Sequence, residues 1–272
     1  MLKPLAISVA VACCVPSVLR AQHPTGEKEA QAWSLQGLRE GYCVRFLLEP
    51  RAAAKEVKSG ARPVPASQDP TLHPAIQQLV RSQPDFASWS ASNVCFYFSD
   101  AVQVGSRRVA EKNPRNRQML AVWTMPTQEE SSGARRDAVL GIYSGRGNLI
   151  RAAETAGVKL REGHVSVVDS ADAGTDIYTI KLDRTSLIWR GHAAGDSTRV
   201  DRPIEESWSS VPGTRTGPWL VRFSFRPQWT RGLVGSLTVQ GKGDLTKWLK
   251  GSPIRFVGPV YHGGAGELQF LR

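Results

Sequence analysis

From residue 93 to the C-terminus, Val, Ile, Phe, Tyr and Trp alternate with polar residues in short runs separated by turn-forming residues. That period of two is the pattern of strands with a covered face, so this stretch reads as β-rich. Upstream, residues 42–49 (YCVRFLLE) are the first strand candidate. Residues 50–72, rich in Pro, Ala, Ser and charge, read as a long covering excursion. In His73–Arg81 an early proline precedes Ile76, Leu79 and Val80 at helical spacing, which predicts a short helix.

An internal echo organises the second part of the chain. Ser144-Gly145-Arg146-Gly147-Asn148-Leu149-Ile150-Arg151 matches Gln240-Gly241-Lys242-Gly243-Asp244-Leu245-Thr246-Lys247. Each copy follows a strand candidate (138–143 or 233–239) and opens a short helix. A further strand closing with proline lies upstream of each, at 120–126 and 220–227. Before those, 95–104 and 179–189 read as hairpins turning at Ser99-Asp100 and Asp183-Arg184. Four elements in the same order predict related tandem modules. The expected fold is therefore α+β and β-dominated, with mostly antiparallel strands in two modules, each carrying one short helix. Residues 93–170 form the first module and 176–272 the second. Residues 22–92 precede them as a polar leader, first strand, long excursion and helix. Strand counts leave sandwich and barrel both open.

The two GxG[ND] turns do not match a phosphate loop, and Asp244 would repel an anion there. The structural reading is preferred: glycine permits the tight turn, while Asn148 and Asp244 cap the following helices.

The N-terminus has a different pattern. A short basic segment (Met1–Pro4) precedes an apolar run from Leu5 to Val15, then Pro16 and Leu19-Arg20-Ala21. This predicts a signal peptide over residues 1–21 and export to the periplasm or beyond. Lipid anchoring through Cys13, in a loose lipobox (Ala10–Cys13), is the minor alternative. No apolar run reaches 18 residues, which excludes a polytopic helical membrane protein.

Processing changes the composition. The full chain of 272 residues carries 35 Lys+Arg against 24 Asp+Glu, a net +11. Loss of Lys3 and Arg20 leaves about +9 by the same count. Cys13 and Cys14 leave with the signal, so Cys43 and Cys95 remain as an even pair in an oxidising compartment. They are expected to form a structural disulfide.

Candidate chemistry is sparse. Arg107, Arg108, Lys112, Arg115 and Arg117 form a basic run, extended by Arg135 and Arg136, that could meet an anionic partner. Trp208 and Trp229 fall in Ser/Pro/Gly-rich loops where an indole could stack on a ligand, whereas Trp123, Trp189 and Trp219 fall in strand runs and are expected in the core. The acids of 169–176 have the wrong spacing for a calcium loop. No HExxH, GxSxG or SxxK motif is present, and His164, His192 and His262 are the histidines nominated for a site assembled from distant residues. The expectation is an exported, non-enzymatic binding or scaffold protein, such as an accessory subunit on the outer face of an envelope complex. Its partner would be a protein or an anionic envelope component, with peripheral membrane association but no nucleic acid, metal or cofactor. The alternatives are a carbohydrate- or polyanion-binding module, and a hydrolase with a non-local site.

Overall fold

The computed structural model describes residues 31–57, 60–104, 107–110, 118–145, 150–151, 153–154, 160–169, 176–201, 204–209, 220–262 and 265–271. The signal-peptide segment, Asn148, Lys112, Arg115, Arg117 and Trp219 lie outside these residues. In chain order the first strands are β1 (Gln31–Leu48), β2 (Ala61–Pro63), β3 (Ser90–Val104), β4 (Arg107–Ala110) and β5 (Gln118–Glu129). They are followed by β6 (Arg135–Ser144), β7 (Arg161–Asp169), β8 (Asp176–Leu182), β9 (Thr185–Arg199) and β10 (Ile204–Ser209). The last are β11 (Leu220–Arg226), β12 (Trp229–Gly241), β13 (Arg255–Val257), β14 (Val260–His262) and β15 (Ala265–Leu271). Helices α1 (Pro50–Glu56), α2 (Pro74–Ser82) and α3 (Asp244–Gly251), with 3-10 turns at Ala66–Gln68 and Pro84–Ser88, are further described elements. The fold is β-dominated α+β with mainly antiparallel pairing. No helix among the described residues is long and apolar enough to cross a membrane.

The pairings close into two circuits with a common wall. One runs β1–β3–β5–β6–β10–β11–β15 and returns to β1. The other leaves β1 through β14, β12, β9, β8 and β7 and rejoins at β6. The pairs β6–β7 and β6–β10 are parallel; the others are antiparallel. Strands β1, β3, β5 and β6 therefore belong to both circuits and are covered on both faces.

Strand alternation then feeds two cores. Tyr42, Val44, Phe46, Leu48, Val94, Phe96, Ala121, Trp123 and Met125 point into the first, which α1 and α3 cover with Ala52, Ala53, Leu245, Trp248 and Leu249. Tyr97, Leu120, Val122, Val221, Phe223, Phe225, Leu268 and Phe270 build the second on the opposite face. Leu38 joins this second core although Tyr42 joins the first. A register shift against β3 between Leu38 and Glu40, next to Gly37 at φ 75°, exchanges the faces there.

Several sequence expectations need correction. The first strand begins at Gln31 rather than 42, because residues 31–36 pair with β15. The excursion after it opens with helix α1, started by Pro50 and carried by buried Ala52 and Ala53. Residues 95–104 are not a hairpin: β3 runs through Ser99-Asp100, held by β1 alongside (Leu38↔Ser99, Gln36↔Ala101). The turn at Asp183-Arg184 is present, with Asp183 at φ 54°. Asp244 does not cap α3; Gly243 occupies the cap, and Asp244 is the first helical residue, where its charge complements the helix dipole. In the same turn Gly241 has φ 108°, and a side chain there would strike the Arg184 carbonyl oxygen. The echoed elements do not share one pairing scheme. β5 pairs directly with β6, whereas β11 and β12 each pair with other strands.

Cys43 and Cys95 are directly opposite on β1 and β3 and form a disulfide, which fits an oxidising environment. Trp123 and Trp189 are buried in the core as their strand context implies.

Candidate functional site

The second face of the shared strands is not filled with large side chains along its whole length. Toward one end β1 presents Gly41, Cys43 and Arg45, β3 presents Ala91, Asn93, Cys95 and Tyr97, and β5 presents Val122, Thr124 and Pro126. These small and polar residues leave a cavity of about 270 Å³. Asp137, Ile204, Phe223, Phe225 and Tyr261 close it from the other strands.

A roof drawn from residues 61–89 covers the opening. It is a small core of its own, in which Leu72 and Ile76 pack with Leu47, Ala66 and Ala91 and against Phe86, Trp89 and Phe256. A backbone bond fastens it to the strands, Val64 N donating to Pro126 O at 3.0 Å, and Ala66 N donating to Trp89 O at 2.6 Å ties the two ends of the roof together. Arg135 Nη1 adds a bond to Gln68 O at 2.7 Å. The roof brings Asp69, Thr71 and His73 to the cavity. Asp69 Oδ1 accepts from Thr71 N (2.9 Å) and Thr71 Oγ1 (2.7 Å), which fixes this corner of the roof.

Two cationic or titratable groups define the chemistry. Arg45 is paired in register with Asn93, and its Nη1 donates to Asn93 Oδ1 at 3.4 Å. Its Nε is buried without a hydrogen-bond partner. Gly258 backs onto it, and a side chain at that position would come within 3.4 Å of Nε. His73 is the N-cap of α2: its Nδ1 accepts from Ala75 N at 3.2 Å. The ring packs on Phe256 at 4.8 Å between centroids. Burial, and then the Arg45 guanidinium, hold the imidazole below its ordinary pKa, so His73 is neutral at neutral pH.

Among the described residues, none that lines this cavity is a lysine. Among the described residues no group of three or more His, Cys, Asp or Glu is arranged to hold a metal ion.

The nominated residues lie mostly elsewhere. Arg107 and Arg108 sit in β4 opposite Val104 and Gln103. Arg135 is tied to the roof, and Arg136 pairs with Glu129 at 3.5 Å. Trp229 lies not in a loop but at the start of β12, where it is 41% exposed. Trp208 lies not in a loop but in β10, in register with Val221 and with Asp137 of the cavity. His192 is exposed on β9, and His262 is half-buried on β14. Neither His192 nor His262 lines the cavity, whereas His73 does; His164 falls in β7. Arg45, Asn93 and His73 were missed by sequence reasoning. The available signals were a lone charge inside an apolar strand run and a histidine-proline pair opening a helix.

No family model matches this chain. No curated protein matches it either. Among solved structures, it is similar to an enduracididine biosynthesis enzyme, MppR, complexed with pyruvate, at 14% identity and TM-score 0.49, covering 91% of this chain and 92% of that one. Acetoacetate decarboxylase from Legionella pneumophila aligns at 9% identity and TM-score 0.49, over 98% and 96% of the two chains. An acetoacetate decarboxylase-like enzyme from Sphingomonas wittichii RW1 aligns at 10% identity and TM-score 0.44, over 89% and 91%. At these values the likeness assigns no activity and no residue role to this chain. These neighbours are enzymes, contrary to the expectation of a non-enzymatic scaffold or binding protein or a carbohydrate- or polyanion-binding module.

Proposed function

We propose that the protein is a small-molecule enzyme whose cavity takes a compact organic carboxylate held by Arg45. One observation carries this reading: a guanidinium in the wall of a part-apolar cavity. A guanidinium fork matches a carboxylate in geometry and charge. Asn93 holds one arm of the fork, so the guanidinium is pre-positioned before a ligand arrives. Phe223, Phe225 and Tyr261 supply an apolar surface for the remainder of a small molecule, and the volume is near the lower end for ligand sites.

The test is calorimetric titration of short-chain carboxylates against their amides, followed by NMR time courses on those that bind. Carboxylates should bind, amides should not, and Arg45→Gln should abolish the preference. Equal affinity for amides, or carboxylate binding unaffected in Arg45→Gln, would overturn the proposed anchor. Bound carboxylates that all stay chemically unchanged would overturn the enzymatic reading.

We also propose that the protein is exported to the periplasm or beyond, supported by the Cys43–Cys95 disulfide. N-terminal sequencing of the mature protein should begin at Gln22; an unprocessed chain in the cytosol would sink this. The related-module reading of 93–170 and 176–272 is likewise kept as a proposal, supported by the shared GxG[ND] turns.

A further inference from the structure

We propose that His73 acts as a neutral hydrogen-bond donor, offering its Nε2–H to an oxygen of the molecule that Arg45 holds; the inference rests on that reading of the cavity. The geometry fixes the tautomer. His73 Nδ1 accepts the Ala75 N–H, so it carries no proton, and a neutral imidazole then carries its proton on Nε2. Packing on Phe256 sets the ring plane, and no described residue engages Nε2. A general base working through Nε2 would need the proton on Nδ1, which would set two donors against each other at the head of α2.

The charges around the ring point the same way. Arg45 faces it from β1, and the N-terminus of α2 adds partial positive charge beneath it, so both oppose an imidazolium. Asp69, in the same connection, is already occupied by Thr71, and Asp137 approaches the cavity from β6. A neutral N–H fixed in a partly desolvated site can polarise a substrate oxygen without spending a proton.

Capping preferences separate the donor from the cap. Asn is a strong N-cap but lacks a group at the Nε2 position, so His73→Asn keeps the helix start and removes the donor. In His73→Gln an amide reaches toward the Nε2 position while the cap is lost. The experiment measures both variants by thermal melting and by titration with whichever short-chain carboxylate the wild type binds. His73→Asn should melt at or above the wild-type temperature yet bind about tenfold more weakly, as expected for one lost hydrogen bond. His73→Gln should melt lower and keep its affinity within about threefold. Long-range ¹H–¹⁵N correlations of the wild type at neutral pH should show the proton on Nε2. A proton on Nδ1, an imidazolium, or the reverse ranking of affinities would overturn the inference while carboxylate binding stands. A wild type that binds no carboxylate would instead fail the Arg45 reading beneath it.

Discussion

Adjacent residues of the same strands build two unlike interiors. On β1, Tyr42, Val44 and Phe46 face the first core, and Gly41, Cys43 and Arg45 face the cavity. On β3 and β5, Val94, Phe96, Ala121, Trp123 and Met125 are set against Ala91, Asn93, Cys95, Val122, Thr124 and Pro126. The first set is large and apolar, and its rings touch, as in Tyr42 and Phe96 at 5.3 Å. The second set is small or polar, and its disulfide crosses where a packed pair would otherwise stand. Toward this end of the strands, dense packing and open space are thus divided by strand parity. A one-residue slip would exchange the two sets, so the register is strongly specified.

Substitutions can break that division, beginning where the effect is greatest. Phe96→Ala, on the filled face, should cost about 3–5 kcal/mol in urea unfolding. A cost near that of a surface substitution would show that this face is not the packed one. Next comes the disulfide: replacing Cys43 and Cys95 together by alanine should lower stability by up to about 4 kcal/mol. No change in the non-reducing denaturation midpoint would mean that the cross-link adds nothing to this face.

Arg45→Met tests the opposite expectation for the cavity face. Stability should hold or rise, since a buried unpaired donor is removed, while carboxylate affinity drops about 10–100-fold. A marked loss of stability without loss of binding would place Arg45 among the structural residues.

The smallest effect concerns pH. The folded His73 pKa lies below its unfolded value of about 6.5. The unfolded chain therefore takes up the proton first as pH falls. His73 should cost no stability above that value and progressively lower it below, down to the folded pKa. Comparing urea midpoints at pH 7.5 and 5, His73→Asn should lose less stability on acidification than the wild type. Equal losses would mean that His73 is not held neutral by its surroundings.

Local patterns carried much of the fold. Alternation from residue 93, the spacing of Ile76, Leu79 and Val80, and the paired cysteines each correspond to an observed element. What was missed depends on long-range pairing. Ser99-Asp100 resembles a turn in isolation, but with β1 beside it the strand continues. Pro50 and the Ala-rich stretch after it read as an excursion because the core that buries Ala52 and Ala53 comes from distant strands. The site was hidden for a related reason. Arg45 in an apolar run does not reveal which face it takes, and His73 reaches the same space only once the roof is folded over it. Charge density drew attention to 106–117 instead, yet a solvated basic run and a binding run share the same composition.

The shared wall also governs how the molecule opens. Neither circuit can separate from β1, β3, β5 and β6 without exposing the other's interior, so loss of that wall amounts to global unfolding. Amides of Val94, Phe96 and Val122 should therefore exchange with solvent only through the rarest openings. Those of β2 and β4, each paired along a single neighbour, can exchange through local fraying. The roof over the cavity belongs to neither circuit. The roof can therefore open locally while both circuits stay intact, far more often than the protein unfolds.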